Sequence, residues 1–142
     1  MGSRVNHLSV VVSAVVFFVI SYVWYMYIFG ASYTAQMQAL IGKPMATGGP
    51  MATQLIITFL LGLILAYVIG IALSMRPGAD LSRGVGFGLF IGIGVYAAMT
   101  YLGVVWGGLT LGLWAINAGF VTVSMAVMGA IIGAWSAKGA AA

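Results

Sequence analysis

The sequence predicts an all-α integral membrane protein: a four-transmembrane-helix bundle with both termini cytoplasmic and a short amphipathic interfacial helix in the first outer loop. Three observations carry this. Residues 5–29, 54–75, 84–105 and 113–135 are long apolar runs, and a helix of roughly 20 residues crosses a hydrocarbon core of about 30 Å. Hydrophobic residues make up 63% of the chain and charged ones only 4%, where soluble domains carry about a quarter charged. The single acid, Asp80, falls outside all four runs.

Lipid offers no water to backbone amides, so each run must satisfy its hydrogen bonds internally as a helix. Four spans occupy the chain, and residues 1–142 read as a single transmembrane domain. The first run is longer than the apolar core of a cleavable signal and is expected to stay. Arg4, Arg76, Arg83 and Lys138 fall on one side of the four-span arrangement and Lys43 on the other. Positive residues favour the cytoplasmic side, which places both termini there. Five scattered cations make no basic patch, so no nucleic acid is expected as partner. Cysteine is absent, which excludes disulfides and thiol chemistry.

Taken in order, the first span closes in the aromatic stretch Tyr22 to Tyr27, followed by Phe29-Gly30. Tyr33, Met37, Leu40 and Ile41 then recur at helical spacing, which predicts the interfacial helix. Gly42-Lys43-Pro44 stops it, and Thr47-Gly48-Gly49-Pro50 leads flexibly into the second span. The short link Arg76 to Asp80 predicts that spans two and three are antiparallel neighbours, with Asp80 capping or pairing near the third helix start. Trp106 to Thr110 forms the outer hairpin before the fourth span, and the tail from Gly139 is expected to fray.

Glycines predict how the spans pack. Gly84, Gly88 and Gly92 share one helix face and admit a close neighbour, with Gly86 and Gly94 beside the stripe. Gly62, Ala66 and Gly70 on the second span and Gly129 and Gly133 on the fourth are the expected counterparts. This stripe is read as intramolecular packing, with self-association as the alternative.

Polar side chains inside spans need partners and mark where function would sit. Tyr22, Thr58, Tyr96, Thr100 and Asn117 fall at one depth in the outer third, with Ser21 beside them, and Thr100 and Asn117 are the expected hydrogen-bonded pair. Trp24, Tyr25, Trp106 and Trp114 belong to an aromatic outer face, since Trp and Tyr crowd the outer half while only Tyr67 and Trp135 map to the inner. That bias exceeds what an interfacial belt needs. His7, the only histidine, is a weak cofactor-binding candidate and more simply a polar residue capping the first helix. One histidine and one acid cannot build a zinc or di-metal site. No nucleophile has a base and orienting acid in reach, so no enzyme is expected.

The run Ile116-Asn117-Ala118-Gly119-Phe120, continuing through Ser124 and Gly129 to Trp135, resembles the end of a family of small bacterial four-helix membrane proteins catalogued as a domain of unknown function. Val5-Asn6-His7-Leu8, Trp24-Tyr25 and Phe29-Gly30 are similar to its opening. Tyr33 stands where that family often has tryptophan, and the Trp106–Thr110 loop is shorter and less polar. The resemblance implies the four-span fold, the inner membrane of a bacterium and the marks Asn6, Trp24-Tyr25 and Asn117, but no activity. The expected function is a non-catalytic interaction or accessory subunit of a larger membrane assembly or homo-oligomer. The alternative is a small transporter or channel for a neutral or hydrophobic solute. Membrane lipids and other membrane subunits are the expected partners. No cofactor is predicted, and a bound lipid or pigment is left open.

Overall fold

The computed structural model describes residues 5–42 and 51–141. Among them it forms five helices and no strand: α1 His7–Ile28, α2 Gly30–Ile41, α3 Met51–Ser74, α4 Leu81–Trp106 and α5 Leu111–Ala141. α1, α3, α4 and α5 are long and apolar enough to cross a membrane. The expected lead-in over residues 43–50, with Lys43, and the expected topology signal at Arg4 lie outside the described residues.

The termini of the helices follow from local chemistry. Asn6 caps α1, its Oδ1 accepting the Ser9 N–H at 3.1 Å while the Ser9 hydroxyl donates to the Asn6 carbonyl. Asp80 caps α4 by accepting the Arg83 N–H at 2.9 Å, so that helix begins at Leu81 rather than at 84. The Thr110 hydroxyl does the same for the Leu113 N–H at 3.1 Å, which starts α5 at Leu111. Gly42 ends α2 in the left-handed region, where a side chain would be strained. The alanine-rich tail stays helical to Ala141 instead of fraying from Gly139.

Two stretches widen to π winding: Trp24–Ile28 at the close of α1 and Phe90–Ala97 within α4. A π turn closes i to i+5 and therefore rotates the side chains beyond it relative to those before it.

The packing is lopsided. α3 lies along α1, both lie on α5, and α4 lies along α5 while barely touching α3. The expectation that spans two and three pack as neighbours is therefore wrong. The loop joins their ends, but α4 carries the glycine face that α5 can approach closely, and α3 carries side chains that fit α1. α5 is the most buried of the four apolar helices and α4 the least. The side-chain core sits between α1, α3 and α5, where Val10, Phe17, Ala66, Ile69, Phe120 and Met128 meet. Lipid tails are as apolar as these side chains, so close packing rather than the hydrophobic effect holds them together.

α4 meets α5 backbone to backbone. A Cβ built on Gly84 would overlap the Gly129 carbonyl, one on Gly88 the Met125 carbonyl, and one on Gly92 would come within 2.6 Å of the Thr122 Cα. From the other side, a Cβ on Gly129 would strike the Gly84 carbonyl and one on Gly133 the Asp80 carbonyl. Gly62 and Gly70, expected to answer this stripe, face α1 instead: Gly62 receives the Phe17 ring, and Gly70 lies against Val10 and Val5. Gly86 and Gly94 point away from the seam.

Candidate functional site

Polar and aromatic side chains gather at one end of the bundle, where α1 closes, α2 packs against α1 and α5, and α4 turns into α5. The π winding at Trp24–Ile28 sits here. The Tyr25 hydroxyl donates to Asn117 Oδ1 at 2.6 Å, and the Trp24 indole N–H donates to the Ile116 carbonyl at 3.1 Å. Neighbouring residues of α1 thus grip neighbouring residues of α5. The Tyr25 ring meets Tyr33 of α2 edge-on at 5.0 Å and Phe120 at 5.2 Å.

α2 is tied to the same end by a polar contact. Gln36 Oε1 accepts the Thr110 hydroxyl at 2.9 Å, and its Nε2 donates to the Ser32 hydroxyl at 3.0 Å. The Gln36 amide also lies over Gly112, where it would meet any added Cβ. From α5 the Trp114 indole N–H donates to the Ala97 carbonyl of α4 at 3.0 Å, just where the π winding of Phe90–Ala97 ends, and its ring meets Tyr101 at 5.0 Å. Beside this cluster a cleft of about 410 Å³ opens between α1 and α3, with Ser21, Tyr25, Gln54 and Thr58 set among apolar walls that include Phe17 and Phe120.

The expected polar layer is only partly brought together. Asn117 bonds to Tyr25, not to Thr100, and the Thr100 hydroxyl donates to the Tyr96 carbonyl of its own helix at 2.7 Å. Thr58 and Ser21 likewise donate to Gln54 and Phe18 carbonyls one turn back. A short hydroxyl in an apolar surrounding satisfies itself on its own helix at no cost in reach, whereas the Tyr25 phenol is long enough to cross to α5. Tyr22 is exposed and packs on Tyr27 rather than on the layer.

The aromatic outer face also resolves differently. Trp24, Tyr25 and Trp114 turn inward to the bonds just described, and Trp106 alone stays open, 84% exposed. His7 does not cap α1, since Asn6 does. Its Nδ1 lies 2.8 Å from the Tyr67 hydroxyl of α3, which ties the two helices at the opposite end. Among the described residues no three His, Asp or Glu side chains gather for a metal.

Three features had no place in the sequence reading. The Tyr25–Asn117 pair and the Gln36–Thr110 pair span 92 and 74 residues, beyond any spacing rule. Ser13 and Ser124 are fully buried with no hydrogen-bond partner. Ser13 lies one turn before Phe17 and Ser124 one turn after Phe120, and those rings pack at 5.3 Å, so the two hydroxyls share a level in the bundle.

A family model described as "Protein of unknown function (DUF1761)" matches residues 8–133. The chain belongs to the DUF1761 family. No curated protein and no solved structure matches it significantly. The DUF1761 match spans all four apolar helices and both partners of the Tyr25–Asn117 bond. It therefore covers the cluster just described while assigning it no chemistry.

Proposed function

We propose that this DUF1761 protein is a non-catalytic subunit of a membrane assembly that meets its partner through α4. The observation that carries the reading is the one-sided attachment of α4. That helix leans almost entirely on α5, and Phe90, Ile93, Met99 and Leu102 stand exposed along the remainder. Support comes also from the polar groups at the aromatic end. Trp24, Tyr25 and Trp114 bond across to neighbouring helices, and Thr58 and Thr100 bond to carbonyls of their own helices. These groups are thus used within the chain, which supports fastening over a route for solute. Arg76, Arg83 and Lys138 gather at the other end, which this reading places in the cytoplasm.

A photoreactive residue placed in native membranes tests it. At Ile93, Met99 and Leu102 the expected products are polypeptide adducts, whose mass distinguishes a second copy from a different chain. At Ile56 and Ile64, exposed on α3, only lipid adducts are expected. Lipid adducts alone from all five positions would remove the assembly reading.

The cleft between α1 and α3 favours a second reading, passage or binding of a neutral hydrophobic solute beside Gln54 and Thr58. Solute flux in proteoliposomes that Asn117→Ala leaves unchanged would rule out a route through the Tyr25–Asn117 level.

A further inference from the structure

At the end opposite the aromatic cluster, α3 and α4 diverge from their shared loop and leave a groove of about 650 Å³. Arg76 and Arg83 stand at its mouth, and Leu73, Gly86, Phe87 and Phe90 continue it toward the middle of the bundle. The apolar part runs along α4 from Arg83 to Phe90, about 10 Å at 1.5 Å per residue. Phe87 and Phe90 stack at 6.4 Å and give it a flat wall.

Charge and shape both point to one kind of occupant. Two guanidinium groups line the groove, and the one carboxylate in the loop, Asp80, accepts the Arg83 backbone N–H as a helix cap, so this end keeps a net positive charge of about one. Arg83 spends Nη1 on the Pro77 and Gly78 carbonyls at 2.8 and 3.0 Å, which fixes the guanidinium and leaves its other nitrogens as donors. Gly86 supplies the second argument. A Cβ there would meet nothing within 4 Å, so packing within the chain does not require glycine, which weakens a helix interior. The empty place lies inside the groove.

We propose that the groove holds one anionic phospholipid, its phosphate between Arg76 and Arg83 and an acyl chain over Gly86, Phe87 and Phe90. Guanidinium forks suit phosphate oxygens, and basic pockets between membrane helices suit charged headgroups. A zwitterionic headgroup brings its own cation toward the same arginines and binds less well.

Native mass spectrometry of the full chain in detergent, titrated with phosphatidylglycerol or with phosphatidylcholine of the same acyl chains, reads the site directly. Phosphatidylglycerol is expected to bind more tightly, and Arg76→Gln to weaken it about fivefold, as one lost charge near a headgroup implies. Arg76 is the cleaner substitution because Arg83 also ties down the loop. Gly86→Leu fills the groove without touching the α4–α5 seam. It is expected to remove the bound lipid while leaving the thermal unfolding midpoint in detergent unchanged. Equal binding of the two lipids, or undiminished phosphatidylglycerol on the Gly86→Leu protein, overturns the proposal. So does inorganic phosphate that competes as well as the lipid, since the acyl chain then adds nothing.

Discussion

The two long seams of this bundle are built by opposite means. Along α4 and α5 the backbones touch: Gly84, Gly88 and Gly92 face carbonyls and Cα atoms of Gly129, Met125 and Thr122. Along α1 and α3 a side chain fills the space, with the Phe17 ring seated on Gly62 and Val10 on Gly70. In the first seam the obstacle to any new atom is main chain, which moves only if a whole helix moves. In the second the obstacle is a ring that can turn about χ1. The same residue type, glycine, therefore has a different tolerance at each seam.

The largest expected effect lies on the backbone seam. Gly88→Leu adds a branched side chain against the Met125 carbonyl and the Ala126 Cα. Overpacking of this kind costs about 3 kcal/mol or more, because no rotamer relieves it. Unfolding of the purified monomer in detergent is expected at much lower temperature or denaturant. A monomer that keeps its stability and loses only an oligomer would show that the seam serves self-association instead.

Gly62→Ala is the matched test of the side-chain seam. The new Cβ displaces the Phe17 ring, whose nearest atoms are flexible side chain, so a loss of about 1–2 kcal/mol is expected. Pairing it with Phe17→Leu sharpens the comparison. The smaller side chain makes room, and the double variant is expected to be more stable than the sum of the single effects predicts. Simple additivity would mean that the ring is not what the alanine meets.

This contrast also explains how much was legible in the sequence. The spans were, because hydropathy and the missing charges report on solvent alone, and the caps at Asn6, Asp80 and Thr110 extend them by a few residues. That Gly84, Gly88 and Gly92 share a face was legible from spacing by four. Which helix they meet was not, since Gly62-Ala66-Gly70 and Gly129-Gly133 present the same small surface. The choice depended on Phe17, whose ring occupies the notch at Gly62 and assigns α3 to α1. The polar layer failed for a similar reason. Depth counting places Thr100 and Asn117 at one level, but it cannot weigh a threonine that reaches its own Tyr96 carbonyl against a tyrosine, Tyr25, that reaches across to α5. The π winding at Trp24–Ile28 and Phe90–Ala97 left no signal in periodicity, because runs apolar on all sides show no preferred face to shift.

The smallest effect concerns the bond that joins the two kinds of packing. Tyr25 sits on α1, from the side-chain seam, and Asn117 on α5, from the backbone seam. Tyr25→Phe removes the hydroxyl and keeps the ring contacts with Tyr33 and Phe120. Interhelical hydrogen bonds in membranes contribute about 0.6–2 kcal/mol, so a loss near the lower end is expected once Asn117 finds another donor. Asn117→Ala removes the other partner, and the double variant is expected to cost little more than either single one. A double-mutant cycle in detergent reads that coupling directly. Fully additive losses would mean that each group is held by something else, and that the aromatic end is fastened by the Trp24 and Trp114 indoles and the Gln36–Thr110 contact.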